Sequence, residues 1–351
     1  MTGTIQANKS WINIARLGAI LGVLIQHTKG YCYNKDKIFY SVWWAVALFV
    51  LLGGYNAYSS YLKRGSFHLR EKLIRILIPY AFAAAVYNIW DNRFFDAVTY
   101  LSSLLHFDAT GPMYYVAAYV QLLVITPVLI GAIRFCREKR PLLRYPILWA
   151  IVLGFCYLSS HFTNLFDIAI GGGYLFAGPW LFFWFCGMFI RHLESLPVAG
   201  KFDRRFMPAA FIVLTAAIIV WQYQFVHLGR NFEYKSLFLA SKVGMTWPNA
   251  LETVLIFFWF MVAVGLFVSV TGDTGKKILR PLEFLGRQTL YIFLYHMLFL
   301  SIYQQFLEIP HFVNRFICFA FILVVPAVLG GYFLPFVKRG MAQIMAHTAA
   351  R

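Results

Sequence analysis

Charge is scarce in this chain, and acid scarcer still. Only 13% of the 351 residues are Asp, Glu, Lys or Arg, and 14 acids stand against 31 Lys and Arg. An ordinary soluble domain carries about 25% charged residues, so a soluble globular enzyme is excluded. The five cysteines (Cys32, Cys136, Cys156, Cys186, Cys318) are scattered without short paired spacing, which suggests neither a zinc knuckle nor a disulfide framework. Low-complexity linkers, internal repeats and room for an appended soluble domain are lacking too, so residues 1–351 read as one integral-membrane domain. The first apolar run contains Asn13 and Arg16 and has no small-residue cleavage site behind it, which reads as a retained helix and not as a removed leader.

What the chain does have is apolar length. Hydrophobic residues make up 60% and aromatic residues 19%, and apolar runs of about twenty residues follow one another to the end. The expected fold is an all-α polytopic bundle of about ten spans, roughly 11–31, 38–62, 73–90, 113–133, 146–161, 174–190, 206–227, 246–270, 285–307 and 313–337. With both termini cytoplasmic, 23 of the 31 Lys and Arg fall on the inner side, in Lys63 to Arg75, Arg134 to Arg144, Arg191 to Arg205, Lys276 to Arg287, the tail, and at Lys9 and Arg16. The net charge of +17 is then a matter of orientation and not of nucleic-acid binding. The longest outer loop, Asp91 to Pro112, is placed to cover an outward-facing site.

Ionisable side chains inside spans cost several kcal/mol unless they face a cavity or a partner, so each is a functional candidate. In RLGAILGVLIQH, Arg16 and His27 are eleven residues apart, which returns to within about 20° of one helix face and separates them by about 16 Å along the axis. Asn13 shares that face. The plainer reading is that Arg16 snorkels to inner headgroups and His27 sits at the outer interface. In FHLREKLIRILIPY, Arg70, Lys72 and Arg75 form a cationic patch suited to phosphate, although other inner loops are comparably basic. His296 falls near the middle of span nine, and Glu252 lies inside span eight. Tyr114, Tyr115, Tyr119 and Gln121 in GPMYYVAAYVQLL add polar lining, or an aromatic belt.

Four features in this order resemble the acyltransferase 3 family of membrane acyltransferases: Arg16 and His27 at their spacing, Lys72-x-x-Arg75 leading into Ile78-Pro79, Met113-Tyr-Tyr-Val116, and Leu285-Gly-Arg-Gln-Thr-Leu-Tyr-Ile running to His296. The sequence departs from the family at Asn13, where Asp is frequent, at Lys72, where Arg is frequent, and at Pro112-Met-Tyr-Tyr115, where a Trp-Tyr or Trp-Phe pair is common. The resemblance implies a bacterial inner-membrane enzyme that moves an acyl group, usually acetyl, from cytoplasmic acyl-CoA to a hydroxyl of a surface polysaccharide or glycolipid, alongside other envelope glycan-assembly proteins. It also implies His27 as the catalytic histidine, Arg16 as its partner, and Lys72 with Arg75 as an acyl-CoA-binding element.

The chemistry agrees on its own terms. Imidazole is a suitable base for a sugar hydroxyl near neutrality, and the developing thioester oxyanion needs donors, for which Arg16, His296 and backbone groups all remain open. Histidine as acyl-carrying nucleophile is the variant. No metal is called for. Asn13, Tyr115, Gln121 and Glu252 are expected to line the substrate path, with Arg70, Lys72 and Arg75 on the donor. A transporter or flippase for a glycan or lipid-linked precursor would use Arg16, Glu252 and His296 differently and predicts paired broken helices, whereas the one glycine cluster, Gly171 to Gly173, falls in an outer loop. Acetyl and succinyl donors remain alternatives, as do the possible glycan acceptors.

Overall fold

A computed structural model describes residues 10–137, 141–169, 175–196, 204–227, 247–306 and 312–349. The Gly171 to Gly173 cluster, Lys9 and the outer-loop cations Arg230, Lys235 and Lys242 lie outside them. Among the described residues the chain is helical, with an isolated bridge between Lys29 and Tyr33 and no strand. The helices are α1 (Ser10–His27), α2 (Asp36–Ser41), α3 (Trp44–Arg64), α4 (Leu69–Asn92), α5 (Ala97–His106), α6 (Tyr114–Arg137) and α7 (Pro141–Ala169). They continue as α8 (Leu181–Glu194), α9 (Met207–Gln222), α10 (Trp247–Arg287), α11 (Thr289–Phe306) and α12 (Phe312–Ala349). Each of the ten expected spans overlaps a helix other than the two short ones, α2 and α5.

Seven segments among the described residues are long and apolar enough to cross a bilayer, namely α2 with α3, α4, α6, α7, α9, α10 and α12. That leaves the short α5 and, beside it, α1, α8 and α11, which are short or interrupted by polar groups and carry Arg16, His27, Arg191, His192 and His296. The most extensive packing is α3 along α8 and α1 along α10. Lipid offers helices no hydrophobic reason to associate, so close approach of backbones does much of the work. A Cβ on Gly54 would collide with the Trp184 carbonyl and one on Gly187 with the Leu51 carbonyl, so the two glycines bring α3 and α8 together at two levels. Gly286 does the same for α10 against the Asn13 backbone of α1, which fixes where the next residue, Arg287, emerges.

The long loop between α4 and α6 folds as α5. The Asp96 carboxylate caps it, accepting from Val98 N at 3.0 Å and from the Thr99 hydroxyl at 2.6 Å. Those donors hold the Asp96 carboxyl below the usual carboxylate range, the Thr99 hydroxyl contributing most. Tyr80 docks α5 on α4 by donating to Ser103 O at 2.9 Å and stacking on Phe107 at 5.0 Å.

Candidate active site

Two cavities meet at Arg16. The larger, about 710 Å³, opens at the N-terminal end of α1 and is lined by Asn13, Arg16, Asn56, Ser59, Lys63, Arg64, Arg191 and Arg287, with Glu283 the one acid in its wall. The smaller, about 220 Å³, is lined by Arg16, Tyr115, Tyr119, Arg287, Thr289 and Phe293. Arg16 and Arg287 belong to both, because Gly286 lets α10 reach α1 there. Arg191 is held by donating to Ser59 Oγ at 3.1 Å and to Glu194 Oε2 at 3.3 Å, while the Tyr55 hydroxyl donates to the same carboxylate oxygen at 2.7 Å. The larger cavity therefore presents several cations, of which Arg191 is tied into a fixed network and Arg64 is paired with Glu71.

Beyond the smaller cavity lies a pair of histidines. Phe293 lines the cavity, its ring 5.3 Å from that of Tyr115 and 6.0 Å from that of His296. The His296 ring is in turn 5.1 Å from that of His27. His296 is fully buried, and its Nδ1 contacts Phe293 O at 2.7 Å. A carbonyl only accepts, so Nδ1 carries the proton and donates it there, leaving Nε2 as the acceptor of the neutral ring. That Nε2 is buried with no hydrogen-bond partner among the described residues. An orphaned acceptor in a bundle core costs stability and calls for an explanation.

Tyr87 of α4 shapes α11 at this level. Its hydroxyl donates to Leu294 O at 3.1 Å and accepts from Leu298 N at 2.9 Å, so it enters the backbone ladder between the two residues that flank His296. Insertion of a side chain into an i→i−4 ladder is a known cause of local helix distortion. Trp90 adds a second polar tie between α4 and α11, donating to Ser301 Oγ at 3.2 Å.

Of the residues singled out in the sequence, the structure gathers Asn13, Arg16 and Tyr115 around the two cavities and sets His27 against His296. Others lie apart from them. Gln121 clamps residues 175–177, donating to Leu175 O at 2.8 Å and accepting from Ala177 N at 3.1 Å. Glu252 is buried and accepts from Gln222, whose amide also donates to Ser41 O at 3.0 Å. Arg70 borders a shallow apolar groove with Leu73 and Ile74, Lys72 lies over the Phe67 ring at 5.1 Å, and Arg75 pairs with Glu71, which also holds Arg64 at 2.6 Å. The wall cations that the sequence reading passed over are Lys63, Arg64, Arg191 and Arg287. The signal for Arg287 lay inside the Leu285-Gly-Arg-Gln motif, whereas Arg191 resembled any other basic residue at an inner helix end.

No curated protein and no solved structure matches the chain. A family model does: the one described as an acyltransferase domain covers residues 9–334, nearly the whole length, and the chain belongs to that family, acyltransferase 3.

Proposed function

We propose that the protein is an acyl-CoA-dependent O-acyltransferase of the bacterial inner membrane, transferring an acetyl group from the cytoplasm to a hydroxyl of an exported or surface polysaccharide. The observation that carries this reading is the His27–His296 pair, 5.1 Å ring to ring, with an imidazole nitrogen unpartnered among the described residues and a cationic cavity at the N-terminal end of α1. Lys63, Arg191 and Arg287 meet the phosphates of CoA, for which planar guanidinium groups are well suited. The pantetheine arm then runs past Arg16 into the smaller cavity between Tyr115 and Phe293, toward the histidines.

The spacing along α1 divides the labour. Arg16 and His27 are separated by about 16 Å of helix, too far for both to act on one carbonyl carbon. Arg16 is therefore a donor-binding group at the junction of the cavities, and His27 works at the reacting end. His27 takes the proton of the sugar hydroxyl as its oxygen attacks the thioester carbonyl; the tetrahedral intermediate collapses with release of CoA thiolate, to which the imidazolium returns the proton. His296, as the neutral tautomer with Nε2 unprotonated, accepts a hydrogen bond that orients the His27 ring or the incoming hydroxyl.

The test is turnover of labelled acetyl-CoA by the purified protein in lipid nanodiscs with envelope glycan as acceptor. Label moves into the glycan with the wild type and does not with His27→Ala, while circular dichroism and the melting temperature of that variant stay close to wild type. Undiminished transfer by His27→Ala, or passage of unmodified glycan across the membrane without thioester turnover, would overturn the proposal.

A further inference from the structure

Two thiols from opposite ends of the chain meet at the end of the bundle where α1 finishes and α12 begins. After His27 the chain turns back on itself, with Cys32 N donating to Thr28 O at 2.8 Å and the Tyr33 hydroxyl donating to Ile25 O at 2.7 Å. That turn presents the Cys32 thiol to α12, where it donates to Arg315 O at 3.8 Å. Cys318 stands three residues further along the same helix, buried in a cluster with Ile292, Leu300, Tyr303 and Ile322, and Cys32 packs against that cluster. Both thiols are free, and they share this one cluster of side chains. Cys136, Cys156 and Cys186 belong to the other, larger core cluster.

The chemistry of Cys32 suits exchange. The neighbouring Cys318 thiol, together with the Thr28 hydroxyl and the Arg315 charge, lowers the Cys32 thiol from its ordinary range against an opposing effect of burial. A thiol lowered in this way is a better attacking group for disulfide exchange than an unperturbed one.

We propose that Cys32 and Cys318 form a disulfide, made by exchange with a disulfide donor of the extracytoplasmic space, that fastens the turn following His27 to α12. The Cys32 thiolate attacks one sulfur of the donor disulfide and forms a mixed disulfide, releasing the first donor thiolate. Cys318 gives up its proton to that thiolate and attacks the Cys32 sulfur, closing the Sγ–Sγ bond and releasing the second donor thiolate, which is protonated from water. Two protein thiols are oxidised and the donor disulfide is reduced to a dithiol. The orientation that sets this end of α1 outside supplies the oxidising compartment in which such bonds persist. Without the bond, the Cys32 thiol reaches α12 through its contact with Arg315 O and its packing on the cluster that holds Cys318.

The test uses cells of the producing host, quenched with acid before lysis so that air oxidation is excluded. Free thiols are blocked with N-ethylmaleimide, and the full-length protein is digested and examined by mass spectrometry with and without reductant. A cross-linked Cys32–Cys318 peptide, lighter than its two thiol peptides by two hydrogens and split by reductant, is the expected result; both cysteines carrying maleimide before reduction would overturn the proposal. A membrane-impermeant maleimide on intact cells then identifies the cause of such a failure. Labelling of Cys32 from outside means that the thiols face the donor and do not pair, and no labelling means that the orientation is wrong. In Cys318→Ser the cross-link disappears, and reductant lowers the melting temperature of the wild type to that of this variant. A wild-type melting temperature indifferent to reductant would refute the fastening role.

Discussion

Helices α1 and α9 are built from opposite materials and buried in the opposite order from a soluble protein. The stretch MPAAFIVLTAAIIVWQ of α9 has no charged residue, yet Met207 is its one buried side chain, and Ile212, Val213 and Ile219 are each more than 60% exposed. In α1, interrupted by Asn13, Arg16 and His27, nine of the 18 residues are buried. Where the surroundings are hydrocarbon, an apolar face gains little by turning inward, whereas a polar group loses heavily by turning outward. The helix interrupted by polar groups is therefore the one drawn inward, and the wholly apolar one is left at the rim.

That contrast is sharpened most by paired substitutions at polar axis and apolar rim. His27→Gln should reduce kcat for acyl transfer by about 10²-fold or more, the scale of a general acid–base contribution, whereas Ile219→Ala on α9 should leave it within about twofold, as expected of a site away from named mechanisms. Steady-state rates in nanodiscs with matched protein amounts measure both. Equal losses in the two variants would mean that rim and axis do not differ in function.

Next in size is the larger cavity. Arg191→Gln combined with Arg287→Gln removes two cations that its wall presents. A charge-assisted hydrogen bond contributes about 1.5–3 kcal/mol, so KM for acyl-CoA should rise by about tenfold to a hundredfold per residue, with kcat changed far less. The corresponding double variant Arg70→Gln, Arg75→Gln should raise KM much less, because Arg70 borders a shallow groove and Arg75 is engaged by Glu71. If the second pair proves the stronger, the donor lies against α4 and not in the cavity.

These pairs also show how far the sequence could be read. Membrane class, the approximate spans and the helix face shared by Asn13 and Arg16 follow from period and apolarity, because each is a property of a continuous stretch. The basic residues around the larger cavity were not separable from the rest, since topology alone places Lys and Arg at every inner helix end. Gln121 and Glu252 looked like lining because a polar residue in a span must be satisfied, but the sequence does not say by what; a backbone turn and Gln222 satisfy them. The approach of Cys32 to Cys318, and of Tyr87 to the α11 ladder, are contacts between distant stretches for which no local pattern exists.

Tyr87 gives a smaller, more specific expectation. Tyr87→Phe keeps the ring and removes the hydroxyl that lies between Leu294 O and Leu298 N, so α11 recloses its ladder around His296. Tyr87 is a positioning residue: kcat should fall by about threefold to tenfold with KM for acyl-CoA unchanged, the scale of one lost neutral hydrogen bond of about 1 kcal/mol. A KM effect without a kcat effect would show that Tyr87 serves packing alone.

The smallest effect belongs to the exposed cap of α5, at Asp96. Its carboxyl is held below the ordinary range by the Thr99 hydroxyl, with the amides of Thr99 and Val98 assisting. A carboxyl lower in the folded state than in the unfolded chain adds stability that is complete above the unfolded value and is lost as pH falls through the folded one. Acidification below the ordinary carboxylate range should therefore fray α5 at its first turn, read as faster hydrogen exchange at Val98 and Thr99 with no change at the α11 amides beside His296. Asp96→Ala should show that fast exchange at every pH and lose the acid dependence. Exchange that accelerates equally around His296 would mean that α5 and the histidine pair open as one unit, and that the division between rim and axis does not extend to this end of the bundle.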